Sequence, residues 1–143
     1  MAAWWELAIP AGSALIGTLI GAGSQLALRR TQSRQDRLLK MYDDRRALYA
    51  RTEAAADNVL DGLRGRPVDA TNHDARQAWF DEFVPLYEEL ETSARLVHLI
   101  GSRQVVATVD RMTLAARRDA SPDAFLELKE VFVEAARQDL GAT

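Results

Sequence analysis

Residues 7–28 read LAIPAGSALIGTLIGAGSQLAL, 22 residues from Leu7 to Leu28 without a charged side chain. As a helix rising 1.5 Å per residue, such a stretch is ~33 Å long, which matches a hydrocarbon core of ~30 Å. Trp4 and Trp5 stand before it, where amphipathic rings settle at a headgroup boundary. Arg29 and Arg30 stand after it, followed by Arg34, Arg37 and Lys40, whereas residues 1–28 contain no Lys or Arg. The positive-inside bias therefore predicts a single-pass segment of the cell membrane, with the N-terminus outside and the C-terminal domain cytoplasmic. A cleaved leader would carry its basic residues ahead of the apolar run. A core helix of a soluble domain is seldom uncharged for so long.

The same stretch has two unlike faces at 100° per residue. Ser13, Gly17 and Gly21 form a small-residue ridge with Gln25 on its side, and Leu15, Ile16, Leu19, Ile20 and Leu26 fall opposite. Small residues let two backbones approach closely in lipid, where apolar burial cannot drive association, and Gln25 adds a side chain able to hydrogen-bond across an interface. The expectation is a homo-oligomer, or packing on another membrane protein.

Charge is segregated along the chain. Residues 29–51 carry eight basic and three acidic side chains, and residues 52–143 carry ten basic and 17 acidic ones. With Glu6 this gives the overall −3. Basic groups beside an anionic leaflet contribute ~1 kcal/mol each near the surface. Trp4, Trp5, Arg29, Arg30, Arg34, Arg37 and Lys40 are therefore the expected headgroup contacts, and membrane lipids the expected partner. An acidic domain with no nucleic-acid-binding motif argues against DNA or RNA.

The remainder reads as helices. No Gly or Pro occurs between Ser24 and Asp61, and Leu38, Tyr42, Tyr49, Thr52, Ala56, Val59 and Leu63 recur on one helical face, with Arg45 in its middle. An Arg buried there would need a carboxylate; an uncovered stretch of helix is the simpler expectation. Gly62, Gly65 and Pro67 end this helix. The next starts at Thr71 or Asn72, with the stripe Trp79, Phe83, Tyr87, Leu90, Ala94, Val97; Pro85 predicts a kink or a fresh start near Asp81. Ser102 caps a further helix with face Val105, Val109, Met112, Ala116. Ser121 and Pro122 open the last, with face Phe125, Leu128, Phe132, Ala135. A second ridge on that helix, Leu126, Val133 and Leu140, is either the flank of a wide core stripe or a partner-binding face. The reading is all-α: one N-terminal transmembrane helix (residues 1–30) followed by an antiparallel cytoplasmic bundle of about four helices (residues 31–143).

Signals for chemistry are sparse. The chain has no cysteine, which excludes disulfides, thiolate catalysis and thiolate-bound metals, and it has two histidines. Neither His73 nor His98 has a Glu three residues before it, and no phosphate-binding, nucleophile-elbow or zinc-protease motif occurs. His98 flanks the apolar stripe and reads as a helix-flank histidine. No active site, cofactor, metal or small-molecule substrate is expected.

The start WWELAIP, the Gly/Ala-rich stretch ending in Arg, the run DDRRALYARTEAAAD, then SARLVHLIGSRQVVATVD and FVEAARQDLG resemble uncharacterised single-pass membrane proteins common in high-GC Gram-positive bacteria. The bias of 16 Arg to 2 Lys fits such a genome. The resemblance implies a membrane-tethered helical domain and carries over no functional residues. The expected function is a non-enzymatic, membrane-anchored interaction or scaffold protein; a small membrane-active protein, pore-forming or phage- or toxin-related, is the alternative.

Overall fold

The computed structural model describes the backbone of residues 3–69 and 71–141, and side chains from residue 25 onward. It contains four helices: α1 (Ala3–Arg64), α2 (His73–Ile100), α3 (Arg103–Arg117) and α4 (Pro122–Asp139). No strand occurs among the described residues. The expected membrane helix and first cytoplasmic helix are one element, α1, so the four helices include it. Among the described residues no helix is long and apolar enough to cross a membrane. The side chains of Trp4, Trp5, Ser13, Gly17 and Gly21 lie outside the described residues.

The chain divides into two compact units, Met1–Lys40 and Met41–Thr143. In the first, every side chain from Gln25 to Lys40 is exposed. The second is a four-helix bundle made of residues 41–64 of α1 with α2, α3 and α4. Its seams fix the directions. Arg51 meets Glu89 and Gly62 meets Trp79, so α1 and α2 run oppositely. His98 meets Asp110 and Glu91 meets Arg117, so α2 and α3 do the same. Tyr49 meets Asp139 and Asp57 meets Lys129, so α4 runs against α1.

The core forms where each apolar stripe turns inward. Tyr49, Thr52, Ala56, Val59 and Leu63 of α1 are buried, as are Phe83, Leu90, Ala94 and Val97 of α2. Val105, Val109, Met112, Ala116, Phe125 and Phe132 are fully buried. Leu38 and Tyr42 share the helical face of Tyr49 in sequence, but they are 67% and 42% exposed. The bundle ends at that level: Arg45 donates through Nε to the Ile100 carbonyl at the end of α2, so no core lies beside the residues before it.

Start signals act locally. Asn72 accepts from the Ala75 N–H, Ser102 from Val105 and Ser121 from Ala124, each filling one of the orphan donors of a helix's first turn. α2 runs unbroken through Pro85 and does not restart near Asp81. Phe83, stacked on Trp79 and buried, pins the chain before the proline, and buried Leu90 pins it after. Tertiary packing offsets the one hydrogen bond that proline removes.

Candidate functional site

A shallow groove of about 340 Å³ between α2 and α3 brings several polar side chains to face one another. It is lined by Ala94 and Leu114 together with Tyr87, Glu91, Arg95, His98, Asp110 and Arg117. His98 Nε2 lies 2.6 Å from Asp110 Oδ1. At the other end Arg117 Nε donates to the Tyr87 hydroxyl at 3.0 Å, and its NH2 nitrogen lies 3.6 Å from Glu91. Arg95 meets the same Glu91 carboxylate at 3.1 Å. The Tyr87 hydroxyl, then Glu91, hold the Arg117 guanidinium above its ordinary pKa, so it stays a cation.

These contacts all bridge the two arms of one helical hairpin or one turn of α2. The cross-helix pairs His98–Asp110 and Glu91–Arg117 are centred on residue 104 and Tyr87–Arg117 on residue 102, in keeping with antiparallel helices that fold back just after Ile100. The hairpin symmetry was the sequence signal for Asp110 as the partner of His98; helical periodicity alone does not carry it. His98 and Asp110 are 49% and 53% exposed. The Thr113 hydroxyl, which also lines the groove, donates to the Asp110 carbonyl of its own helix. Among the described residues no group of three or more His, Asp or Glu side chains is arranged to hold a metal ion.

A second cluster sits where α1 enters the bundle. Arg45, on the apolar face of α1, is covered rather than free: it donates to Ile100 O at 2.6 Å and lies 3.6 Å from Asp139. Tyr49 donates to the same carboxylate at 2.6 Å. Burial first, then Asp139, push the Tyr49 hydroxyl up to about 12. This cluster ties α1, the end of α2 and the end of α4 together without leaving an open polar cavity.

Of the residues expected at surfaces, Gln25, Arg29, Arg30, Arg34, Arg37 and Lys40 are all exposed on α1. None of these basic side chains has an ion-pair partner among the described residues. Leu126, Val133 and Leu140 are half-buried and pack against the bundle's own core. The exposed large apolar side chain of α4 is Val131 instead.

No family model matches the chain, and comparison with curated proteins and with solved structures finds no match either.

Proposed function

We propose that this protein is a membrane-anchored helical interaction module. In this reading residues 7–28 cross the cell membrane, the residues before them face outside, and the bundle lies in the cytoplasm. Ser13, Gly17, Gly21 and Gln25 pack the anchor against a second copy or another membrane helix. Trp4 and Trp5 mark one headgroup boundary, and Arg29, Arg30, Arg34, Arg37 and Lys40 meet the anionic leaflet at the other. The bundle acts by contact and not by catalysis.

One observation carries the reading. The 22-residue uncharged stretch lies within α1, which continues without a break from Ala3 to Arg64. A helix satisfies its own backbone hydrogen bonds, as the hydrocarbon interior demands. Exposed, unpaired basic side chains directly after the stretch supply the charge asymmetry that orients such a helix.

The test is alkaline carbonate extraction of membranes from cells making the full chain. The protein stays in the pellet if residues 7–28 are embedded, and Leu19→Arg shifts it to the wash. Retention of the Leu19→Arg variant, or release of the parent chain, overturns the anchor. The mass of the detergent-solubilised protein tests association: a monomer unaffected by Gly17→Ile removes the small-residue interface.

A further inference from the structure

We propose that α1 also pairs with α1 of a second copy of this chain from the end of the membrane-crossing stretch outward, in parallel and in register, through Leu28, Thr31, Gln32, Gln35, Leu38 and Leu39. This rests on the membrane-anchor reading for the orientation of the two copies, and it extends the contact past the anchor.

The first observation is a helix without support. All sixteen residues from Gln25 to Lys40 are exposed. Their side-chain hydrogen bond is Thr31 Oγ1 to the Ala27 carbonyl, within the same helix, and no ion pair forms among their charges. Within the continuous α1 this stretch is held by its own backbone alone, with no tertiary contact or ion pair among the described residues. A second helix laid along it supplies the missing contact.

The second observation is where the charges fall. At 3.6 residues per turn the six named residues occupy an arc of about 120°. The six charged residues of the same stretch, Arg29, Arg30, Arg34, Asp36, Arg37 and Lys40, all lie outside that arc. Written as a heptad, Leu28 and Gln35 take a, Thr31 and Leu38 take d, and Gln32 and Leu39 take e. Leu28, Leu38 and Leu39 are 62%, 67% and 64% exposed, an apolar surface with nothing on it. Arg34 takes g and faces Leu39 of the other copy, so no like charges oppose each other across the seam. Gln35, a polar side chain at an a position, favours the register in which it meets its own counterpart.

A second copy is the occupant this geometry selects. Two copies threaded through one bilayer in the same direction hold Leu28 to Leu39 at the same depth and pointing the same way. Each then presents the stripe that the other needs. A folded partner of opposite charge would instead seek the arginine-bearing faces.

The absence of cysteine makes the test direct. Full-length Leu28→Cys, Gln35→Cys and Ser33→Cys variants are reconstituted in vesicles of zwitterionic and anionic phospholipid and oxidised with copper phenanthroline. Positions 28 and 35 lie on the seam, and Ser33, at f, lies opposite it. We expect disulfide dimer at positions 28 and 35 to form roughly tenfold faster than at position 33, given the inward direction of a positions. Equal rates at all three positions, or no dimer, overturn the pairing. Carbonate extraction of the same vesicles separates the two claims. Embedded protein without cross-linking at position 35 refutes the pairing and leaves the anchor standing. Cross-linked protein that carbonate releases refutes the anchor and keeps the pairing.

Discussion

Tyr49 on α1 donates a 2.6 Å hydrogen bond to Asp139 at the last residue of α4, closing the bundle between its first and last helices. Tyr49 is 3% exposed, and Arg45 flanks the same carboxylate at 3.6 Å. The ring also meets Phe132 edge-on at 6.3 Å, so the hydroxyl and the aromatic body act at one place. Removing the hydroxyl with Tyr49→Phe keeps the ring and leaves Asp139 with Arg45. The expected cost is about 1.5–3 kcal/mol at pH 7, the range for a hydrogen bond to a charged group. Urea denaturation of the isolated variant in detergent measures it.

The same pair gives a pH dependence. The Tyr49 hydroxyl is pushed up to about 12, first by burial and then by Asp139. The unfolded chain's tyrosine titrates near 10. The folded state therefore holds this proton more tightly, so the stabilisation is whole below pH 10 and is lost as pH rises from about 10 towards 12. The stability difference between the parent chain and Tyr49→Phe should shrink over that window and stay constant from pH 7 to 9. A difference that grows with alkali contradicts the assignment.

Two glycines near the end of α1 should respond oppositely to alanine. A Cβ on Gly62 would lie 2.9 Å from the Phe83 ring and 3.1 Å from Leu86. Phe83 is buried and stacked on Trp79, whose Nε1 donates to the Gly62 carbonyl at 2.7 Å, so the ring has little room to give. Gly62→Ala should cost about 1–3 kcal/mol, as overpacking does. A Cβ on Gly65 meets backbone oxygens at an ordinary 3.6 Å. Gly65→Ala should be neutral or stabilise by about 0.4–1 kcal/mol, through a stiffer unfolded chain. Paired thermal melts decide the sign of each.

The helical class, the helix starts at Asn72, Ser102 and Ser121, and most core positions were legible because caps and periodicity are local properties of the chain, whereas Leu48, Ala55, Leu60 and Ala136 widen the buried faces beyond the stripes read from sequence. What was not legible depends on where helices end in space. Leu38 and Tyr42 carry the same period as Tyr49, yet the core stops at Arg45 because α2 turns at Gly101 and α4 ends at Asp139. For the same reason Arg45 is covered: the carboxylate that an Arg on an apolar face requires comes from a residue distant in sequence. Pro85 read as a break because sequence shows the lost hydrogen bond and not the Phe83 and Leu90 contacts that outweigh it. The His98–Asp110 pair needed the hairpin's fold-back point, which no single helix reveals.

Ser93 offers a test of core chemistry. Its Oγ is buried in α2 with no hydrogen-bond partner, and the residue is 0% exposed. An unpaired buried hydroxyl carries a desolvation penalty of about 1–3 kcal/mol. Ser93→Ala removes the orphan, loses little volume and improves helix propensity by a few tenths of a kcal/mol. The substitution should raise stability by about 1 kcal/mol, which is unusual for a fully buried position. A drop in Tm would mean that the hydroxyl is satisfied in solution.

The basic side chains after Leu28 should set orientation. If the positive-inside bias places the bundle in the cytoplasm, replacing Arg29, Arg30, Arg34, Arg37 and Lys40 with glutamine removes the nearest part of it. Trypsin added to sealed inside-out membrane vesicles should digest the bundle of the parent chain completely. In the five-glutamine variant a protected fraction should appear, as some copies insert the other way. A bundle already protected in the parent chain would reverse the proposed topology.

The clasp between His98 and Asp110 distinguishes a structural pair from a reactive one. Both side chains are about half exposed, and their 2.6 Å contact joins α2 to α3. An exposed pair of this kind couples by about 0.2–1 kcal/mol. His98→Ala, Asp110→Ala and the double variant form a cycle whose coupling energy should fall in that range. It should fall further when salt is raised, because screening acts fully on exposed charges. A coupling of several kcal/mol, or one indifferent to salt, would show that the pair is shielded from solvent. That result would turn the α2–α3 groove from a hairpin seam into a site worth testing for chemistry.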